Sequence, residues 1–144
     1  MKRTVAREHI FRILFRYDFH DREEFDNQVS LYFEENALET DSTSDETLGE
    51  VTDLDEAELV GRIGQIVDTV SDLDSKISDK CEGWTIDRIG KAELSILRLA
   101  VYEIFYDEKI EPAVAINEAV ELAKKYCDDK APSFINGILA KIIK

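Results

Sequence analysis

The sequence predicts an all-α fold: a compact helical bundle of about six or seven helices in two packed halves. Three observations carry that expectation. Apolar residues recur at spacings of three and four almost everywhere, and no segment shows the two-residue alternation of a half-buried strand. Only 2 prolines and 6 glycines occur in 144 residues, too few for the many turns of a sandwich or barrel. Hydrophobic residues make up 44% of the chain, enough to bury a core and to argue against wholesale disorder.

The first helix is expected over residues 5–17, where Ala6, Ile10, Ile13, Leu14 and Tyr17 form one apolar stripe. Phe11 and Phe15 fall about 120° and about 160° from the centre of that stripe. Either another helix covers them or they form a patch for a partner protein, since aromatics are enriched at interface centres. A second, weaker helix is expected over residues 24–36. Residues 37–53 are polar and acidic and read as a loop. Asp55 fits the N-cap of a long helix carrying Leu59, Ile63, Ile66, Val67, Val70 and Leu73, continued over 74–81 after a bend.

Gly83 then interrupts, and residues 86–105 are apolar on most sides, as befits the buried central helix. Pro112 suits the first position of a helix bearing Ile116, Ala119, Val120, Ala123 and Tyr126. Pro132 likewise starts a last helix with Phe134, Ile135, Ile138, Leu139 and Ile142. The whole is expected to form one domain, with halves at 1–82 and 83–144.

Net charge is −14, which at face value argues against a nucleic-acid binder. Its distribution reverses that impression. Residues 1–20 hold five bases (Lys2, Arg3, Arg7, Arg12, Arg16) against two acids, whereas residues 21–60 hold fifteen acids against Arg22 alone. A short basic island still holds phosphate, because charges beyond about 10 Å are largely screened at physiological salt. No apolar run approaches the roughly 20 residues of a membrane span, and no signal-peptide pattern follows the first bases. With Cys81 and Cys127 as reduced thiols, a cytoplasmic protein is expected.

Catalytic chemistry finds little support. His9 and His20 lack cysteine or carboxylate partners at metal-ligand spacing, and His9 reads as a packing or surface residue. There is no glycine-rich phosphate loop and no nucleophile motif. Cys127 adjoins a helix C-terminus, where the dipole disfavours a thiolate. No cofactor, metal or enzyme activity is expected.

Four stretches narrow the reading: AREHIFRILF at 6–15, DRIGKAELSILRLAVYEI at 87–104, VAINEAVELAKKY at 114–126 and FINGIL at 134–139. In this order they resemble the NusB family of bacterial transcription antitermination factors. The resemblance covers residues 1–20 and 84–144; the acidic middle matches only in helix count and length. It implies a factor without enzyme activity that binds the boxA element of nascent RNA together with the ribosomal protein NusE. That complex, with RNA polymerase and other Nus factors, opposes termination, notably on ribosomal RNA operons. It implies RNA contacts at Lys2, Arg3 and Arg7, and at Tyr126, Lys130, Ser133 and Phe134 with the neighbouring Ala131. It implies a NusE face at Phe15, Asp87 and Glu93, to which the sequence adds Phe11. Homodimers occur in the family.

Two departures stand out. Thr4 and Val5 interrupt the arginine run common in the family, and Lys130 stands where relatives often carry an acid. A protein–protein adaptor or homodimer of the same fold that does not bind RNA is therefore the alternative. A domain of a ribosomal RNA methyltransferase is disfavoured, since no glycine-rich methyl-donor fold accompanies it.

Overall fold

The computed structural model describes residues 1–38, 51–83 and 85–144. Among them the chain forms seven α-helices and no strand. These are α1 (Arg3–Leu14), α2 (Arg22–Leu38), α3 (Asp53–Asp68), α4 (Val70–Ser78), α5 (Lys91–Tyr106), α6 (Pro112–Tyr126) and α7 (Ala131–Ile142). One-turn 3₁₀ helices lie at Tyr17–Phe19 and Ile86–Arg88. The acidic segment read as a loop over 37–53 falls mostly outside the described residues: positions 37 and 38 end α2, Asp53 opens α3, and 39–50 are not described. Trp84 also lies outside them.

Contacts group the chain into Met1–Gln65 and Ile66–Lys144. The sequence reading set its division after residue 82; the contacts place α4 with the helices that follow it.

In the first unit, Ile10, Ile13 and Leu14 of α1, Phe25, Val29, Tyr32 and Phe33 of α2, and Leu59 and Ile63 of α3 are buried. Burying each such side chain contributes about 1.5–3 kcal/mol. Asp21 caps α2, its Oδ1 accepting the Glu24 amide at 2.8 Å. The start of α3 corrects the expectation for Asp55. Thr52 is the cap: its Oγ1 accepts the Asp55 amide at 3.1 Å, and the Asp55 carboxylate accepts the Thr52 amide at 3.1 Å. This reciprocal box satisfies two otherwise orphaned donors, which a lone Asp cap would not. Hydrogen bonds donated to the Asp55 carboxylate by the Thr52 hydroxyl and, second, by the Thr52 amide hold its carboxyl below the ordinary value.

In the second unit, the expected bend comes at Thr69 rather than near 74. The Thr69 amide and hydroxyl both reach the Ile66 carbonyl at 3.1 Å, which ends one helix before the next begins. Gly83 turns the chain with φ +74°, a left-handed conformation that costs a side-chain-bearing residue about 1–2 kcal/mol. Helix α5 is central, as its composition predicts: Leu94, Ile96, Leu97, Leu99, Ala100, Val101 and Tyr102 are all buried, and α4, α6 and α7 pack on it. Pro112 begins α6, and Pro132 sits in the first turn of α7. The buried face of α6 is Ala115, Ala119, Leu122 and Ala123, rotated slightly from the stripe read in the sequence. Three alanines let its neighbours approach closely.

Candidate nucleic-acid interface

The basic island at the N-terminus is smaller at the surface than in the sequence. Arg7 is 5% exposed, so its guanidinium belongs to the interior of its unit and not to an open cationic face. That corrects its expected role as a surface RNA contact. Arg12 pairs with Glu8 at 3.9 Å, one turn away on α1. Arg16 pairs with Glu35 at 3.3 Å, donates to the Gln28 carbonyl and lies over the Tyr32 ring at 5.4 Å. Lys2 and Arg3 remain exposed. Lys2 precedes α1, makes no side-chain cap, and no acid occupies the first turn. The positive end of the helix dipole and two cationic side chains therefore coincide there, a combination that attracts phosphate.

The second set lies where α6 passes into α7. Tyr126 ends α6, half-buried, with the Lys125 ammonium 5.5 Å from its ring centre. Lys130 and Ser133 are exposed, one helical turn apart, and Phe134 beside them is half-buried. Part-exposed aromatic rings, an ammonium and a hydroxyl are groups that can stack bases and hold the backbone of a single strand. Asp128 shapes this loop: its Oδ1 accepts the amides of Lys130 at 3.0 Å and Ala131 at 3.1 Å.

The residues expected to face a protein partner separate into three kinds. Phe11 is 3% exposed, so the alternative in which other residues cover it holds, and it is no anchor. Phe15 is 39% exposed and Phe19 57%, with ring centres 5.5 Å apart. Phe19 escaped the sequence reading, although its spacing of four from Phe15 was the available signal. Asp87 is exposed on the 3₁₀ turn before α5. Glu93 is half-buried and turned inward: its carboxylate folds back against Gly90, where even a Cβ would collide with it, and it hydrogen-bonds Cys127. Glu93 is therefore engaged within the start of α5 and with Cys127.

His9 is a core residue, buried, with Nδ1 2.6 Å from the Tyr32 hydroxyl. Burial and the adjacent Glu93 carboxylate push the Cys127 thiol up to about 12, and burial raises Cys81. Neither thiol is a nucleophile at neutral pH. No cluster of potential metal ligands occurs among the described residues.

Comparison with known proteins gives concordant matches. The model of the NusB family matches residues 4–144. A transcription antitermination protein NusB of Lachnoclostridium phytofermentans is 41% identical over 143 residues, covering 99% of each chain. A solved NusB structure of T. maritima superposes with a TM-score of 0.74 at 28% identity, covering 99% of this chain and 90% of that one. A crystal structure of the antitermination factors NusB and NusE in complex with dsRNA contains a chain matching at TM-score 0.72 and 29% identity. That match covers 97% of this chain and 94% of the other.

Proposed function

The chain belongs to the NusB family, and from that premise we propose that it is a transcription antitermination factor that binds RNA together with NusE. The observation that carries this reading is the near full-length correspondence with a chain of a complex holding both NusE and RNA. The RNA element is proposed to be boxA, read as a single strand on nascent ribosomal RNA, in the company of RNA polymerase and other Nus factors. The role is one of binding, with no chemical step, and its proposed place is the cytoplasm. No helix among the described residues is long and apolar enough to cross a membrane.

Lys2 and Arg3 supply phosphate contacts at the start of α1, and Tyr126, Lys130, Ser133 and Phe134 supply stacking and polar contacts on the second unit. Phe15 with Phe19, and separately Asp87, are offered to NusE. The aromatic pair gives an apolar anchor, and the acidic balance suits a basic ribosomal protein. The burial of Arg7 and the pairing of Arg12 and Arg16 favour a second reading, an adaptor or homodimer that does not bind RNA.

Fluorescence anisotropy with a labelled boxA-type RNA and a scrambled control separates the two. Selective binding that tightens when NusE is added supports antitermination. Equal, weak binding of both RNAs, unmoved by NusE, leaves the adaptor reading.

A further inference from the structure

We propose that Asp128 is the positioning residue that presents Lys130 and Ser133 to RNA, an inference that rests on the RNA-binding reading above. The loop between α6 and α7 is only a few residues long and is anchored at both ends. At its start, the Cys127 amide donates to the Ala123 carbonyl at 2.9 Å. At its end, the Asp128 carboxylate accepts the amides of Lys130 and Ala131, while the Asp128 carbonyl accepts Ala131 again at 3.2 Å. The Lys130 carbonyl then accepts the Phe134 amide at 3.2 Å, opening the helical ladder. Asp128 thereby decides the residue at which α7 begins and the direction in which Lys130 leaves the backbone.

The same bonds decide how an anion meets this loop. Backbone amides at a helix start commonly hold phosphate. Here a carboxylate already fills two of them, so contact falls to the exposed Lys130 ammonium and Ser133 hydroxyl. A backbone fixed before binding loses less conformational freedom on binding, which raises affinity without adding a contact. An Asn keeps the accepting oxygen and an Ala removes it, so the two substitutions separate geometry from charge.

The test is anisotropy with labelled boxA-type RNA and NusE, using Asp128→Ala, Asp128→Asn, Lys130→Ala and the double variant Asp128→Ala with Lys130→Ala. A cap bond of ordinary strength predicts about five-fold weaker binding for Asp128→Ala. The salt slope should fall by about 0.7, one phosphate on a single strand. Asp128→Asn should bind at least as well as the parent to within about two-fold, and the double variant should bind no worse than Lys130→Ala. Circular dichroism and NusE binding should match the parent throughout. If Asp128→Ala loses helicity, Asp128→Ser, which keeps one acceptor, carries the same comparison. Parent-like binding by Asp128→Ala, failure of Asp128→Asn, or fully additive losses would overturn the proposal. So would parent-like binding by Lys130→Ala, with the RNA-binding reading left standing. If the parent itself fails to bind RNA, that reading has failed.

Discussion

Arg98 lies in the central helix α5 with its side chain 7% exposed, and its fork grips Asp74 through Nε at 2.7 Å and Nη2 at 2.8 Å. Removing Arg98 forfeits both charge-assisted bonds and the packing of its buried stem, while Asp74, 30% exposed, keeps access to water. Arg98→Ala should therefore lower stability by about 2 kcal/mol in urea titration, and Arg98→Lys should fall between it and the parent, keeping charge but losing the fork. Nothing in the sequence joined these residues, which stand 24 positions apart. Phe11 and Phe15 teach the same lesson. They are one residue type, one turn apart, and one is 3% exposed while the other is 39%. A helical wheel fixes their angle but not which other parts of the fold cover them, and that depends on tertiary packing. Arg7 was misread for the same reason: its sign was legible and its burial was not.

Individual elements were read more accurately than individual contacts, because periodicity and proline are local signals. Pro112 and Pro132 mark the first turns of α6 and α7, where a missing amide proton costs nothing. The start of α3 was missed by a few residues because Thr52 and Asp55 both make good caps and only the reciprocal geometry ranks them. That geometry has a pH signature. The folded Asp55 carboxyl lies below 3.8, so its contribution to stability is present above that value and is lost as pH falls through the lower folded value. Thr52→Ala removes the main cause of the shift. Asp55 should then titrate closer to 3.8 by NMR, and the stability gap between variant and parent, open at pH 7, should narrow below pH 4. An unchanged Asp55 titration would mean that the box does not set its ionisation.

For the whole molecule, net charge alone pointed away from RNA, and only its placement along the chain kept that function open. The fold class and the family were legible because four motifs lie on packed helices, where spacing is preserved. The interface was legible only in part, since it is made of what packing leaves exposed. Lys2→Glu with Arg3→Glu should abolish boxA-type RNA binding and leave helicity and NusE binding intact. Phe15→Asp should do the reverse, weakening NusE binding by about 2 kcal/mol while RNA binding without NusE is unchanged. Anisotropy and calorimetry on the same two proteins check both. Coincident losses would mean that the two surfaces are not independent.

The two cysteines carry a consequence of another kind. Peroxide attacks a thiolate and not a thiol, and the first oxidation product, a sulfenic acid, forms in proportion to the ionised fraction. With Cys81 raised by burial and Cys127 held near 12, almost none of either is ionised at neutral pH. A peroxide burst that inactivates proteins with acidic thiols should leave both cysteines of this one reduced.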